Sequence, residues 1–305
     1  MKYPKLLAHA QLLRLPNVFT AFADICLGAA AAGYAPDRPG VFAMLLIASG
    51  CLYCAGMAFN DFFDRREDAK VRPYRPIPSG RIAPWQAALI GTLLMACGFV
   101  GAGLAGNSLG ADALGWSSPG VIALLLIAAI LLYDSYLKRT PLGPLGMGAC
   151  RFLNVLLGLS GAGVELWTWP NLHLAAAVGV YIVGVTWFAR TEEGESRRLH
   201  LRLASLVMLA GVLLGLTAPA HFAGRTVPIY FPYLVAGFLF LVGLPVVRAI
   251  QRPEPKPVQA AVKRAILGLV VLDAVLATAF VGLPGLAILL LLPPAMLLGK
   301  WVYST

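Results

Sequence analysis

Long apolar runs alternate with short polar segments along almost the whole chain. A helix that crosses the hydrocarbon core of a bilayer needs about 20 mostly apolar residues. Ten runs approach or reach that length: 15–34, 41–60, 83–106, 119–137, 143–163, 171–190, 201–221, 228–250, 259–281 and 284–299. The last run is short and contains Pro293-Pro294, so it is either a thin tenth span or a re-entrant segment. The pattern predicts an all-α fold, a polytopic membrane helical bundle of nine or ten transmembrane segments, with residues 1–305 as a single membrane domain.

Composition and charge agree with this pattern. The chain is 59% hydrophobic and 12% charged, whereas soluble domains carry about 25% charged residues. A net charge of +10 would suggest a nucleic-acid partner in a soluble protein. Here the positive-inside rule explains it better, because ten segments place all Lys and Arg residues except Arg38 and Arg225 on one side. We therefore expect no nucleic-acid partner, and an integral, multi-pass protein of a bacterial inner membrane whose functional side faces the cytoplasm.

A dense group of acidic and basic residues follows the second apolar run, at 60–81. Asp61, Asp64 and Asp68 are spaced by three and four residues, so on a helix they share one face. Asn60 flanks that face. Mg²⁺ prefers oxygen ligands and is commonly held by one or two carboxylates together with substrate phosphates. The spacing therefore predicts a Mg²⁺ site made by the three aspartates, with a carbonyl oxygen from Asn60.

Arginines follow these acids at positions 72, 75 and 81. The guanidinium group matches phosphate oxygens in a bidentate geometry, so acids and arginines together, next to lipid, indicate a lipid-like diphosphate as the ligand. The alternative is a solvated loop in which the acids pair with Arg65, Arg66 and Lys70. The shared face and the tail Arg72-Pro73-x-Arg75-Pro76-x-Pro78-Ser79-Gly80 favour the diphosphate site.

The same residues carry a family resemblance. Asn60-Asp61-x-x-Asp64-x-x-x-Asp68, followed by Arg72-Pro73-x-Arg75-Pro76-Ile77-Pro78-Ser79-Gly80, resembles the first aspartate-rich motif of the UbiA superfamily of membrane prenyltransferases. Weaker similarity extends to Arg14-Leu15-Pro16-Asn17 at the first helix and to Tyr133-Asp134-x-Tyr136-x-Lys138-Arg139. The resemblance implies a helical bundle around a central cavity, Mg²⁺ that bridges acids to a prenyl diphosphate, and transfer of the prenyl chain to an acceptor that is often aromatic.

Site residues carried over from the resemblance fall into two groups. It implies that Asn60, Asp61, Asp64 and Asp68 bind metal, the three aspartates being the catalytic acids. It also implies that Arg72, Lys138 and Arg139 contact the diphosphate. From the residues alone, the Lys138-Arg139 pair fits equally a topology anchor at the cytoplasmic end of a span.

A second acidic motif is expected after the sixth helix, and here the sequence departs from the family pattern. The segment reads Trp187-Phe188-Ala189-Arg190-Thr191-Glu192-Glu193-Gly194-Glu195, without the aspartate expected one turn earlier. Glu193 and Glu195 are the candidate ligands of a second Mg²⁺; a salt-bridged surface loop is the alternative. Glutamate reaches one methylene further than aspartate, so the geometry of such a site must differ from that of the family.

Polar residues inside apolar spans are costly and commonly functional. Asn17 and Asp24, seven residues apart, are candidates for lining the cavity, with Asn17 nearer the diphosphate. The alternative is an interhelical hydrogen-bonded pair that packs the bundle, and for Asp24 this alternative is favoured. Arg151 and Asn154 share a face of the fifth span. Arg151 either binds the substrate or pairs with Asp24, and the sequence does not decide between them. Asp273 has no partner recognisable from the sequence.

These observations predict a Mg²⁺-dependent prenyltransferase that moves an isoprenyl chain from a prenyl diphosphate to a small aromatic or lipid acceptor in the membrane. The competing hypothesis is a non-catalytic protein on the same scaffold that binds or traffics an isoprenoid or another metabolite. The altered second motif resembles an atypical branch of the superfamily, the UbiA-like proteins of Ebo-type gene clusters, and that resemblance implies trafficking.

Overall fold

The computed structural model describes residues 4–110, 115–191, 196–222, 224 and 226–303, and this part of the chain is helical. The α-helices are α1 (Pro4–Leu12), α2 (Val18–Ala32), α3 (Pro39–Val71), α4 (Pro84–Ser108), α5 (Pro119–Ser135), α6 (Gly143–Ser160), α7 (Trp169–Ala189), α8 (Arg198–Thr217), α9 (Phe231–Gln251), α10 (Pro255–Val281) and α11 (Leu292–Tyr303). Short 3₁₀ segments cover Leu15–Asn17, Leu137–Arg139, Ala218–His221 and Leu283–Leu291.

Proline and glycine set the ends of several helices. Pro39, Pro84 and Pro119 each open a helix, where the missing N–H has no intrahelical partner to lose and the fixed φ suits the first turn. Gly33 ends α2 with φ of 73° and Gly282 ends α10 with φ of 70°, a backbone region that glycine adopts without steric cost. The boundaries therefore follow from local sequence, and the interiors from the apolar runs.

In the described part of the chain, eight helical segments are long and apolar enough to cross a membrane: Leu15–Ala32, Pro39–Val71, Pro84–Ser108, Trp169–Ala189, Arg198–His221, Phe231–Gln251, Pro255–Val281 and Leu283–Val302. The apolar helix α5 is shorter, at 17 residues, and α6 packs against α2, α5 and α7 in the same bundle. The predicted all-α membrane bundle is confirmed. The short last run is a 3₁₀ segment followed by α11, and together they have the length and composition of a span.

The helix α3 is longer than the apolar run that predicted it. It has 33 residues, about 50 Å at 1.5 Å per residue, whereas the hydrocarbon core is about 30 Å thick. The last turns therefore extend beyond the apolar layer, and they carry Asp61, Asp64 and Asp68 as part of the same helix. The prediction that these acids share a helical face is confirmed.

The helices α2 and α6 cross with their backbones in contact. A Cβ atom added to Gly28 would lie 2.6 Å from the backbone nitrogen of Leu159, and one added to Gly158 would lie 2.9 Å from Ile25 Cα. Only glycine permits this approach, which is typical of packed membrane helices. The crossing brings the buried carboxyl of Asp24 against the polar face of α6.

Asp24 is the centre of a buried polar cluster. Its Oδ2 accepts hydrogen bonds from Arg151 Nη1 at 3.1 Å and from Asn154 Nδ2 at 2.8 Å. Arg151 Nη2 also donates to Thr20 Oγ1 at 2.8 Å. Of the two alternatives that the sequence left open for Arg151, the structure shows the pair with Asp24. A charge buried in a membrane protein is normally paired because an isolated one is costly, so this contact fixes α2 against α6.

Asp273 on α10 completes the cluster. It is fully buried, and among the described residues no N–H or O–H group reaches either of its oxygens or Oδ1 of Asp24. The Asp24 and Asp273 carboxyls nevertheless interact electrostatically with each other and with Arg151. Neighbouring carboxyl groups are costly in a low-dielectric interior without a cation, so Arg151 stabilises the whole cluster and not Asp24 alone.

Substitutions by asparagine should separate the roles of the two acids. Among the described residues, Arg151 forms its ion pair with Asp24 and not with Asp273. Asp273→Asn replaces a carboxylate with an amide, so it should cost about 1 kcal/mol or less, the net worth of one hydrogen bond. Asp24→Asn leaves the Arg151 charge buried without its counter-ion and should cost about 3–5 kcal/mol. Thermal unfolding of the purified variants in a mild detergent measures both. Equal losses would contradict this division of roles.

Candidate active site

The last three turns of α3 present the three aspartates at the end of the bundle. Asp61 and Asp68 are nearly inaccessible, at 4% and 2% exposure, and Asp64 is partly buried. They lie on one side of the helix because their spacing follows its period. Carboxylates buried this far need compensating charge, and the surrounding segments supply it.

Arg75 joins two of the acids. Its Nη1 lies 3.4 Å from Asp61 Oδ1 and 2.7 Å from Asp68 Oδ2. The chain after α3 turns back because Pro73 and Pro76 cannot continue a helix, and the turn is held by the bond from Arg75 N to Arg72 O at 3.1 Å. The proline-rich tail therefore places the arginine over the acidic face.

Two further arginines approach the same acids. Arg14, just before the first span, lies 3.3 Å from Asp61 Oδ1 through its Nη2. Arg72 Nη1 lies 3.7 Å from Asp68 Oδ1. The family resemblance implies a role for Arg72 toward the diphosphate but none for Arg14, and the one pointer to Arg14 in the sequence is its place beside Leu15-Pro16-Asn17. The structure brings both to the acidic face.

Asp64 is held from the opposite side by the segment between α5 and α6. Lys138 Nζ lies 2.8 Å from Asp64 Oδ2 and Arg139 Nη2 lies 3.2 Å from Asp64 Oδ1. Lys138 Nζ also donates to Asn60 Oδ1 at 3.1 Å. The predicted metal ligands Asn60 and Asp64 and the predicted phosphate contacts Lys138 and Arg139 are therefore adjacent in space.

A small cavity of about 60 Å³ lies inside the bundle near this group, within about 500 Å³ of empty space that includes open solvent. Its walls are mainly apolar, with few polar groups. The lining residues are Ala21, Ser49, Leu52, Tyr53, Gly56, Met57, Leu126, Ile130, Tyr133, Asp134, Met147, Cys150, Arg151 and Asn154. An apolar chamber that ends at a cluster of charged groups fits a ligand with an apolar chain and a charged head.

Asp134 lines the cavity, although its sequence motif predicted no role for it. It sits near the end of α5, is 2% exposed and lines the cavity close to the acidic face. The sequence feature that could have indicated a role is the spacing of four residues between Asp134 and Lys138. A buried carboxylate next to a basic residue commonly orients that residue, so Asp134 is a candidate for positioning Lys138.

Two other predicted substrate residues lie apart from the acidic face. Arg151 lines the cavity while it pairs with Asp24. Asn17 does not line this cavity but a separate cleft beside α10 and α11. The predicted ligands Glu193 and Glu195 lie outside the described residues. Arg190, which precedes them, donates a hydrogen bond to Thr140 O, so the end of α7 adjoins the segment that carries Lys138.

The acidic face suits a Mg²⁺ ion that arrives with phosphate better than a metal held by protein alone. Across the part of the chain that the structure covers, no three His, Cys, Asp or Glu side chains are grouped closely enough to hold a metal ion. The available donors are hard carboxylate and amide oxygens, which Mg²⁺ prefers, and Mg²⁺ typically takes one or two carboxylates and completes its shell with water and substrate phosphates. The residues therefore fit such an ion, and every acid has a cation beside it that can move to a phosphate oxygen.

Comparisons with known proteins point in one direction. The sequence model described as the UbiA prenyltransferase family matches residues 21–267. Digeranylgeranylglyceryl phosphate synthase of Methanosarcina mazei is 32% identical over 218 residues, which cover 67% of this chain and 71% of that protein. Protoheme IX farnesyltransferase of Agrobacterium fabrum is 38% identical over 125 residues, which cover 40% of this chain and 35% of that protein.

Solved structures share the fold. A UbiA homolog from Archaeoglobus fulgidus bound to DMAPP and Mg²⁺ superposes with a TM-score of 0.61 at 12% identity, over 88% of this chain and 98% of that chain. A structure of a digeranylgeranylglyceryl phosphate synthase gives a TM-score of 0.64 at 19% identity, over 92% and 99% of the two chains. At these identities the likeness establishes a common helical architecture.

Removing the bridging arginine should expose the metal-binding capacity of the acids. In Arg75→Gln, Asp61 and Asp68 lose their shared cation, so Mn²⁺ should bind more tightly in the absence of diphosphate. The affinity for Mn²⁺ should rise on the order of tenfold for each 1.4 kcal/mol of repulsion between Arg75 and the metal ion that the substitution removes. Electron paramagnetic resonance titration with Mn²⁺ measures this. Arg81→Gln is the matched control because Arg81 bonds Gln11, Ser79 and Tyr74 O rather than an acid. Unchanged Mn²⁺ affinity in Arg75→Gln would contradict the prediction.

Proposed function

Because this chain belongs to the UbiA prenyltransferase family, we propose that it transfers an isoprenyl chain, with the help of Mg²⁺, from a prenyl diphosphate to an acceptor dissolved in the membrane. The observation that carries this proposal is the face of three acids, each paired with a cation, at the mouth of an apolar cavity. The acids and cations match the diphosphate, and the cavity matches the chain.

Mg²⁺ would be held by Asp61, Asp64 and Asp68, with Asn60 as a neutral oxygen donor, and when bound it neutralises the charge that develops on a departing diphosphate. The three aspartates follow one side of α3, Asn60 Nδ2 donates to Asp61 Oδ1 at 3.4 Å, and phosphate oxygens and water would complete the shell of the ion. Glu193 and Glu195 stay proposed ligands of a second ion.

The basic residues bind the diphosphate itself. Arg72, Lys138 and Arg139, together with Arg75, give up their carboxylate partners and take phosphate oxygens when the metal occupies the acids. Such an exchange is electrostatically balanced, because each acid gains a cation and each base gains an anion. The donors are already positioned before the substrate arrives, and preorganised donors contribute most where charge develops in the transition state.

The reaction then follows from charge and shape. The bond between the allylic carbon and the bridging oxygen breaks, and its electron pair leaves with the diphosphate. The resulting allylic cation lies in the cavity, where the rings of Tyr53 and Tyr133 offer their negative faces and the apolar walls exclude water. The acceptor forms the new bond to that carbon, and its proton passes to an oxygen of the departing diphosphate.

The acceptor is a lipid or an aromatic molecule of the membrane. The relatives named above act, by their names, on a glyceryl phosphate lipid and on protohaem, both of which belong to a membrane environment. The cavity of this chain lies within the helical bundle, and such an acceptor would reach it from the bilayer.

We further propose that the site faces the cytoplasm. The acidic face, the Lys138 segment and the first turns of α8 and α10 lie at the same end of the bundle by the order of the spans, and the Lys and Arg residues concentrate there. An excess of these residues marks the cytoplasmic side. For a bacterial chain the membrane is the inner membrane.

The acidic face should control turnover. Asp64→Asn removes one negative charge from the proposed Mg²⁺ ligands and should lower kcat/KM for diphosphate release on the order of 100-fold, while EDTA should abolish release in the unaltered protein. Purified protein is incubated with Mg²⁺, geranyl or geranylgeranyl diphosphate and a panel of lipid and aromatic acceptors.

Glu67→Gln is the matched control, because Glu67 is exposed on the same helix and should retain full activity. Release that continues in Asp64→Asn would overturn the assignment of the acid. Tight, Mg²⁺-dependent binding of the diphosphate without release by the unaltered protein would favour the non-catalytic binder instead.

The cavity should set the length of the accepted chain. Leu126 lines it and is 3% exposed, and Leu126→Trp adds bulk there. We expect geranylgeranyl diphosphate to lose activity on the order of tenfold relative to dimethylallyl diphosphate, with overpacking costing about 1–3 kcal/mol of stability. Competition between the two diphosphates in one reaction measures the ratio. An equal loss for both substrates would show that the chain lies elsewhere.

A further inference from the structure

A large cleft opens beside the bundle, apart from the central cavity. It encloses about 1370 Å³, including space open to the surroundings, and it lies between α10, α11 and the 3₁₀ turn Leu15–Asn17. Lys263 and Lys300 stand on its two helical walls, and Ile266, Leu267 and Met296 make its apolar part. The cleft therefore combines basic groups with an apolar trough.

The path of the C-terminal segment creates this cleft. Residues Leu283–Leu291 pack along α10, after which α11 packs against the 3₁₀ turn and α1. Gln11 Nε2 donates to Val302 O at 3.0 Å and ties the end of α11 to α1. Because α11 is held there, the space between it and α10 is part of the fold.

No carboxylate of the described residues balances the charge of the cleft. Within those ranges, neither Lys263 nor Lys300 has a carboxylate within salt-bridge distance. Lys300 lies in the last turn of α11 and Lys263 in the third turn of α10, and lysines toward the ends of a span also serve as topology anchors. A pure anchor needs no facing partner, whereas these two lysines face one shared space from different helices.

We propose that this cleft binds a membrane lipid whose head is a phosphate monoester. Two lysines supply two positive charges, and a phosphate monoester carries about −1.5 to −2 at neutral pH, whereas the phosphodiester of an ordinary phospholipid carries one negative charge. Lysine binds phosphate as a point charge, and the apolar part of the cleft takes the lipid chains. Asn17, at the edge of the cleft, can donate its amide to the same head.

The position of the cleft connects it to the catalytic end of the bundle. Asn17 lines the cleft and Ala21, one turn later on α2, lines the central cavity. Arg14, at the start of the same turn, pairs with Asp61 of the acidic face. A lipid held here is therefore separated from the cavity by about one turn of α2, or about 6 Å along its axis. The proposal concerns binding, and it stands independently of the proposed transfer reaction.

Native mass spectrometry of the full chain in a neutral detergent tests the proposal. The probes are phosphatidic acid and phosphatidylcholine with identical acyl chains, and we expect preferential retention of one phosphatidic acid. The double variant Lys263→Gln/Lys300→Gln should weaken that retention at least tenfold. The matched control Lys256→Gln/Arg264→Gln removes the same charge from exposed positions of α10 outside the cleft and should retain the lipid.

A second variant tests the cleft without altering charge. A Cβ at Gly299 would meet only Pro16, at 3.8 Å, so Gly299→Phe projects into open space and should displace the lipid while thermal unfolding stays unchanged. Equal retention of the two lipids, or equal loss in the control double variant, would overturn the proposal. Displacement by inorganic phosphate at the same concentration as phosphatidic acid would show a free-anion site and overturn it as well.

Discussion

The contact of Arg75 with both Asp61 and Asp68 is the interaction on which the catalytic end of the protein depends. Two carboxylates this deeply buried on one helical face repel each other, and the repulsion is strong where water is scarce. One guanidinium between them removes it. The same contact orders the proline-rich tail after α3, since the arginine reaches the acids only if the chain turns back. The acidic face, the turn and the mouth of the cavity are thus one electrostatic unit.

A second ion pair, Arg151 with Asp24, has the opposite character. It lies at a backbone-to-backbone crossing, where Asn154 also donates to Asp24 and Thr20 accepts from Arg151. Removing either partner leaves the other charge buried without a counter-ion, so the two side chains stay paired. On the acidic face the carboxyls of Asp61 and Asp68 are buried, but the side chains of their basic partners are 20–32% exposed, so these cations can turn toward a ligand that arrives from solvent. The fold therefore separates a permanent ion pair that positions the cavity wall from exchangeable pairs that suit a charged ligand.

The sequence predicted the elements that rest on local pattern. Apolar runs predicted the membrane helices, and the spacing of Asp61, Asp64 and Asp68 predicted a shared helical face, which α3 confirms by running on to Val71. The extent of that helix was not visible from hydropathy, because its last turns are polar. Partner choice was also hidden: Arg151 had two candidate partners, and only the crossing at Gly28 and Gly158 decides between them.

Long-range placement explains the remaining differences. Asn17 has the right spacing to share a face with Asp24, yet the 3₁₀ turn before α2 directs it to the cleft beside α10 and α11. No pattern within the first helix encodes that cleft, because its opposite wall is formed by residues of α11 such as Met296 and Lys300, which come far later in the chain. The proximity of Asp24 and Asp273 has the same origin. Each acid alone is an unexplained charge in an apolar helix, and only the packing of α2 against α10 brings both beside Arg151.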